Sequence, residues 1–197
     1  MKINEVFTSF QGEGPYTGIY ATFLRLHGCN LKCSFCDTLN TKSFEYDLNT
    51  LLNLISQKMS HEKTNTLILT GGEPFLQYEE ILNLKNKLPR TINLHIETNG
   101  DLLKYIENAV HVISPKSNID SIFKYYFDKN NTFFKFIIQN EKDIFNIKNL
   151  IKKYNYRKNV FLQPEFSNAT EIVKIILENG SPNFRLSGQL HKYFNLR

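Results

Sequence analysis

The sequence predicts an α/β protein: a partial, open (β/α)6-type barrel with parallel strands and outer helices. Three observations lead there. Short β-rich runs alternate with helix-like stretches about six times, the order that yields a parallel sheet covered by helices. No low-complexity linker and no internal repeat interrupts the alternation. The special residues gather where strands end, in "GCN", "TGGEP", "ETNG", "SPK", "QPEF" and "RLSGQ". Parallel α/β folds place their chemistry at the C-terminal ends of strands. A barrel brings many such ends around one mouth, whereas a flat doubly wound sheet would spread them out.

Each element has its own signal. "YATFLRLHG" (20–28) reads as the first strand. Residues 46–60 form an amphipathic helix with Leu48, Leu51, Leu52 and Ile55 on one face. "TLILT" (66–70) is a strand and 78–88 a helix. "NLHIET" (93–98) is a strand, and 101–108 reads as a short helix. "VHVIS" (110–114) is a strand, followed by a less regular stretch over 117–129. "FFKFII" (133–138) is a strand and 141–155 a helix. "NVFLQ" (159–163) is a strand and 168–180 a helix. "NFRLS" (183–187) is a last short strand, with "GQLHKYF" behind it.

A chain of 197 residues is expected to form a single domain over 1–197. Within it, 1–19 reads as an N-terminal segment and 20–197 as the partial barrel with its tail. Such a chain buries a core without disulfide staples. Hydrophobic residues at 41% and charged residues at 22% are an ordinary globular balance. The net charge of +5 is scattered among abundant Lys, with no dense basic run, so no direct nucleic-acid partner is expected. No segment has the ~18 consecutive apolar residues of a membrane span. The opening "MKINEVFTSFQGEG" carries no signal-peptide run. The expectation is a cytoplasmic protein with no membrane partner.

All three cysteines, Cys29, Cys33 and Cys36, lie in "HGCNLKCSFCDT", spaced C-x3-C-x2-C. Reduced, clustered and odd in number, they suit a metal centre better than disulfides. A structural zinc wants four ligands. His27 would be the available fourth, but it sits two residues before Cys29 and no second C-x2-C exists. A 4Fe-4S cluster has four irons, usually held by four Cys. Three cysteines leave one iron open to the amino and carboxylate groups of S-adenosylmethionine (SAM). Reductive cleavage of its sulfonium gives a 5′-deoxyadenosyl radical that takes hydrogen from unactivated carbon. The "TGGEP" turn supports this, since Gly71 and Gly72 let backbone approach a ligand and Glu73 accepts from an ammonium.

C-x3-C-x2-C after a first strand, then Gly-Gly-Glu-Pro after a second, resembles the radical SAM superfamily. The combination of "FTSFQGEGPYTG", "FLRLHGCNLKCSFCDT", "TGGEPFLQ", "ETNG", "SPK", "LQP" and "RLSGQLHK" resembles the 7-carboxy-7-deazaguanine synthase family over residues 7 to 192. The resemblance implies a radical SAM core and a carbon–nitrogen lyase. Its reaction converts 6-carboxy-5,6,7,8-tetrahydropterin to 7-carboxy-7-deazaguanine and ammonia, in the 7-deazapurine pathway that includes queuosine. Implied cofactors are a 4Fe-4S cluster, recycled SAM and Mg²⁺. Implied partners are the small pterin, an electron donor such as flavodoxin or ferredoxin, and a second copy in a homodimer. Residues 37–45 are short, so any extension that shapes a flavodoxin face in larger relatives is reduced or absent.

By the same resemblance, Cys29, Cys33 and Cys36 hold the cluster and Thr38 binds Mg²⁺, a hard ion that needs few protein ligands. Phe10, Gln11, Gly12 and Glu13 meet the substrate, with Gln and Glu suited to a guanine-like pterin edge. Arg25 shares one strand face with residues 23 and 27. If that face looks inward, its guanidinium needs an anion, which a substrate carboxylate would supply in bidentate fashion. Thr70 and the terminal Arg197 complete the substrate set. Gly72, Glu73, Glu97, Asn99, Ser114, Pro115, Lys116, Gln163, Pro164, Glu165 and Phe166 hold SAM. No catalytic residue is assigned beyond the cluster-bound SAM. The five histidines read as satisfied structural residues, with His191 in the family-like tail.

The sequence leaves two alternatives. A glycyl-radical enzyme activase shares the cysteine motif but leaves the Gln11–Gly14 segment and Arg25 without a role. A non-catalytic cluster- or zinc-bearing nucleic-acid module would use only the charge, and predicts a steep salt dependence of binding.

Overall fold

The computed structural model describes residues 1–33 and 42–196. In chain order the elements are β1 (Lys2–Phe10), β2 (Tyr20–Leu26), β3 (Phe44–Glu45), α1 (Leu48–Glu62), β4 (Thr66–Gly71), α2 (Tyr78–Lys87), β5 (Asn93–Thr98), β6 (Val110–Ile113), α3 (Ile119–Tyr126), β7 (Thr132–Ile138), α4 (Glu141–Lys153), β8 (Val160–Pro164), α5 (Ala169–Glu178), β9 (Phe184–Leu186) and α6 (Leu190–Phe194). One sheet runs β3-β1-β2-β4-β5-β6-β7-β8-β9. From β2 to β9 every pairing is parallel, while β1 lies antiparallel to both β2 and β3.

Helices α1 to α5 cover one face, as in a barrel and unlike a doubly wound sheet. Leu24, Leu26, Leu67, Leu69, Leu94 and Ile96 point outward and pack against Leu51, Ile55 and Met59 of α1 and Ile81 and Leu84 of α2. The second half repeats this, with Ile113, Phe134, Phe136, Val160 and Leu162 under α3, α4 and α5. Alternate residues, turned inward, form the concave face. Asp47 starts α1 sharply, its carboxylate accepting the N–H groups of Asn49 and Thr50 at 3.0 Å each.

Three stretches differ from expectation. The N-terminal segment contains a nine-residue strand, β1. A register shift between Ile3 and Glu5 hides its period of two. Ile3 therefore packs in the outer cluster and Phe7 in the inner one. The helix expected over 101–108 does not form. Leu103 and Asn108 hold φ of 49° and 57°, which no continuing right-handed helix allows. This crossover is pinned by side chains instead: the Ile106 N–H donates to His111 Nε2 at 3.2 Å, and Tyr105 stacks on the His111 ring at 4.6 Å. Conversely, the irregular stretch over 117–129 contains α3, which buries Ile122, Phe123 and Tyr126. Among the described residues, no helix is long and apolar enough to cross a membrane.

Candidate active site

The concave face has two layers. Toward the N-terminal ends of the strands it is apolar. Phe7 stacks on Phe23 at 5.0 Å beside Ala21 and Ile68. Tyr16 closes the floor against His95 at 4.4 Å and Phe133 at 5.7 Å. Toward the C-terminal ends the inward positions turn polar, with Arg25, Thr70, Glu97, Lys135 and Gln163. They surround a cavity of about 740 Å³, a size that suits small organic ligands.

The loop between β1 and β2 reaches across this face to the far edge of the sheet. Gly14 N–H donates to Ser187 Oγ at 2.8 Å, and Gly12 O accepts from Leu190 N–H at 3.1 Å. A side chain at Gly12 would strike the ring of His191, its Cβ falling 2.7 Å from Nδ1. The loop thereby carries Glu13 into the barrel. Glu13 Oε2 meets Lys135 Nζ at 2.5 Å, and Glu97 Oε2 takes the same ammonium at 3.0 Å. Gln11 Nε2 donates to Glu97 Oε1 at 2.9 Å and Gln189 Nε2 to Glu13 Oε1 at 2.9 Å.

Electrostatics differ between these neighbours. Burial works to raise the carboxyl of Glu13, but Lys135 and the Gln189 hydrogen bond outweigh it and hold it below the ordinary range. Burial, together with the Glu13 charge, pushes Glu97 up despite Lys135. For Lys135 burial favours the neutral amine, yet the two carboxylates prevail and hold it above the usual lysine value. Among the described residues no carboxylate pairs with Lys116, which donates to Ser114 O and Oγ at 2.6 and 2.5 Å. Burial and then the Lys135 charge bring it down to about 8.

Arg25 does face inward, as its period-two position requires. It is paired there by Glu5, Nε to Oε1 at 2.8 Å, with its guanidinium 5.4 Å from the Phe7 ring centroid. Phe10, Gln11, Gly12, Glu13 and Thr70 line the same cavity. So do Gly72, Glu97, Asn99, Ser114, Lys116 and the run from Gln163 to Phe166. Pro115 and Glu73 do not. Glu73 is 1% exposed and lies behind the wall. Its carboxylate accepts from Thr98 Oγ1 at 2.7 Å, Phe75 N–H at 2.9 Å and Asn99 N–H at 2.8 Å, tying the end of β4 to the end of β5. Cys36, Thr38 and Arg197 lie outside the described residues.

Cys29 and Cys33 open into the cavity where β2 ends, beside the double-glycine turn. This arrangement fits a thiolate-held cluster with a ligand against it. A Cβ on Gly72 would fall 2.0 Å from Gly28 O and 2.8 Å from the Cys29 Cβ, so only glycine lets the turn lie on the cysteine loop. The double-glycine backbone, Ser114 and Lys116 line the same cavity as the two thiols. His27, the fourth ligand of the zinc alternative, has its Nδ1 3.2 Å from the Asn4 amide nitrogen.

Comparison with known proteins decides the family. The 4Fe-4S single cluster domain matches residues 10–132. The 7-carboxy-7-deazaguanine synthase of Methanospirillum hungatei is 33% identical over all of this chain and 86% of its own. That of Clostridium acetobutylicum is 32% identical over 97% of this chain and 94% of its own. The chain belongs to the 7-carboxy-7-deazaguanine synthase family. It is a radical SAM enzyme with a 4Fe-4S cluster, and the activase and nucleic-acid alternatives are not favoured. The crystal structure of QueE from Escherichia coli shares the fold, with a TM-score of 0.67 at 23% identity, covering 95% of this chain and 93% of that one.

For a synthase of this family, sequence reasoning missed Glu5, Lys135 and Gln189, which line the cavity, and Ser187, which holds the β1–β2 loop. Lys135 had a signal, a lone charge at an inward position of the otherwise apolar "FFKFII" strand. Ser187 and Gln189 sit in the "RLSGQLHK" tail, whose place beside the β1–β2 loop depends on the closure of the sheet.

Proposed function

We propose that this enzyme converts 6-carboxy-5,6,7,8-tetrahydropterin to 7-carboxy-7-deazaguanine with loss of ammonia, as the relatives' shared name suggests. The observation carrying this reading is one cavity that joins the cysteine loop and double-glycine turn to the Gln11–Glu13 loop and Arg25. The cluster and SAM, when bound, supply radical initiation at a carbon of the substrate. The chain's own residues bind and orient. Gln11 and Glu13 present a donor and acceptor edge to the pterin ring. Arg25, already turned inward, directs its guanidinium toward the substrate carboxylate, and Thr70 lies beside it across the β2–β4 pairing. Gly72, Asn99, Ser114, Lys116 and the 163–166 turn hold SAM, with Glu73 fixing the turn from behind, whereas Glu97, assigned to SAM from the sequence, spends its oxygens on Gln11 and Lys135.

The reading extends to Mg²⁺ at Thr38, the terminal carboxylate at Arg197, a flavodoxin or ferredoxin donor, a homodimer, a cytoplasmic setting and a single functional unit over 1–197. The test is anaerobic. Reconstituted enzyme with SAM, Mg²⁺, reductant and 6-carboxytetrahydropterin should yield 7-carboxy-7-deazaguanine by mass spectrometry, and Cys29→Ala should yield none. SAM cleavage without deazaguanine would overturn the substrate and point to a protein glycine.

A further inference from the structure

Lys135 is 5% exposed in the middle of a parallel strand whose neighbours are Phe and Ile. An ammonium there is tolerated only with close anionic partners, and an apolar side chain would serve stability as well or better. Its partners come from two distant parts of the chain: Glu13 in the loop after β1 and Glu97 on β5. The other oxygen of each carboxylate is committed in turn, Glu13 Oε1 to Gln189 and Glu97 Oε1 to Gln11. The result is a continuous row, Gln189–Glu13–Lys135–Glu97–Gln11, crossing the cavity from the tail to the loop. Gln11 closes it, since its Oε1 also accepts the Glu13 N–H at 3.3 Å.

We propose that Lys135 is a positioning residue: as the central link of this row it holds the Gln11–Glu13 loop in the conformation that presents substrate. The ammonium keeps both carboxylates as acceptors. With Glu97 accepting, the Gln11 amide has one orientation, nitrogen toward Glu97 and oxygen toward the loop backbone. With Glu13 drawn inward, the loop is held against the sheet beside its bonds to Ser187 and Leu190. Removing the ammonium leaves two carboxylates facing one another across the gap, and like charges in a partly dry site repel. The row then opens at its centre, and the loop loses its inner anchor while the outer barrel, packed by separate apolar clusters, persists.

The test uses Lys135→Met and Glu97→Gln in the reconstituted holoenzyme. Glu97→Gln is nearly isosteric, so it keeps the test open should the first variant fold poorly. Hydrogen exchange of the peptide spanning 11–18 is expected to rise tenfold or more in Lys135→Met, with β4 and α1 as protected as in wild type. In kinetics, KM for the pterin is expected to rise at least tenfold with kcat within threefold, and the acid limb of kcat/KM to move to higher pH. Glu97→Gln is expected to raise KM without moving that limb upward. Loop exchange within twofold of wild type in both variants, or unchanged KM and acid limb, would overturn the proposal. The kinetic half rests on the proposed reaction and the exchange half does not. Wild-type enzyme inactive on the pterin would therefore sink that reaction, while loop exchange still decides the role of Lys135.

Discussion

Gly72→Ala isolates the close approach on which the cluster end of the site depends. Gly72 holds an ordinary φ, so the substitution adds no backbone strain of its own. The new Cβ would instead fall 2.0 Å from Gly28 O, 2.5 Å from Gly28 C and 2.8 Å from the Cys29 Cβ. Two of these are backbone atoms that cannot swing aside. Restoring contact distance needs a displacement of about 1 Å between the turn and the cysteine loop. That stretches the Glu73 N–H to Gly28 O bond, now 2.8 Å, out of hydrogen-bond range. Overpacking of this kind costs about 1–3 kcal/mol and the bond roughly 1 kcal/mol more. In a chain of this size the sum corresponds to a fall in Tm of roughly 5–15 °C. A reacting group misplaced by about 1 Å costs on the order of 100-fold in rate. The assay is anaerobic reconstitution, reading iron per chain, visible absorbance, Tm and product formation, with Gly188→Ala as control, where an added Cβ meets nothing nearer than 3.9 Å. The variant is expected to bind less iron and to lose at least about 100-fold in turnover. Full iron, unchanged Tm and turnover within threefold of wild type would refute the reasoning.

Three further outcomes are expected. Glu73→Ala should lower stability by roughly 3–5 kcal/mol in urea denaturation, because three donors lose the acceptor they share behind the cavity wall; an effect below about 1 kcal/mol would show that water replaces the carboxylate. Burial holds His95 and His111 down to about 4, and His111 Nε2 accepts the Ile106 N–H, so the folded chain refuses protons that the unfolded chain binds. Full stability should therefore stand above pH about 6.5 and drain away as the pH falls toward 4, by roughly 2 kcal/mol per imidazole at pH 5; equal urea midpoints at pH 5 and 7 would contradict it. Lys116, near 8 through burial and the Lys135 charge, should lose its proton as the pH rises through that value, so SAM affinity should weaken above pH 8 in wild type; calorimetric titration at pH 7 and 9 checks this, and Lys116→Met should be weak at both.

Much of the fold could be read from patterning because each buried parallel strand is a short β-rich run ended by a Gly, Pro or polar turn. β5 falls on its expected residues and the other parallel strands begin and end within two of theirs. What escaped is tertiary in origin. The β1 bulge sends Ile3 outward and Phe7 inward, which no single period describes. The 101–108 segment has apolar residues at helical spacing, but Tyr105, Ile106 and His111 satisfy it as a turn. In the site, residues at strand ends were legible, since Cys29, Thr70, Gly72 and Asn99 stand beside the turns that place them. Lys135 was not, because its meaning depends on Glu13 and Glu97, 122 and 38 residues away in sequence. Glu73 shows the converse. Its motif marks the site, while its side chain braces the wall from outside.

The central claim is that one cavity brings cluster-bound SAM against a pterin that rearranges and leaves, with SAM unspent. Counting both products in a single anaerobic reaction tests it most directly. Reconstituted enzyme given excess 6-carboxytetrahydropterin and limiting SAM should form more 7-carboxy-7-deazaguanine than the SAM it consumes. Consumption of SAM mole for mole, or SAM cleavage with no deazaguanine formed, would contradict it.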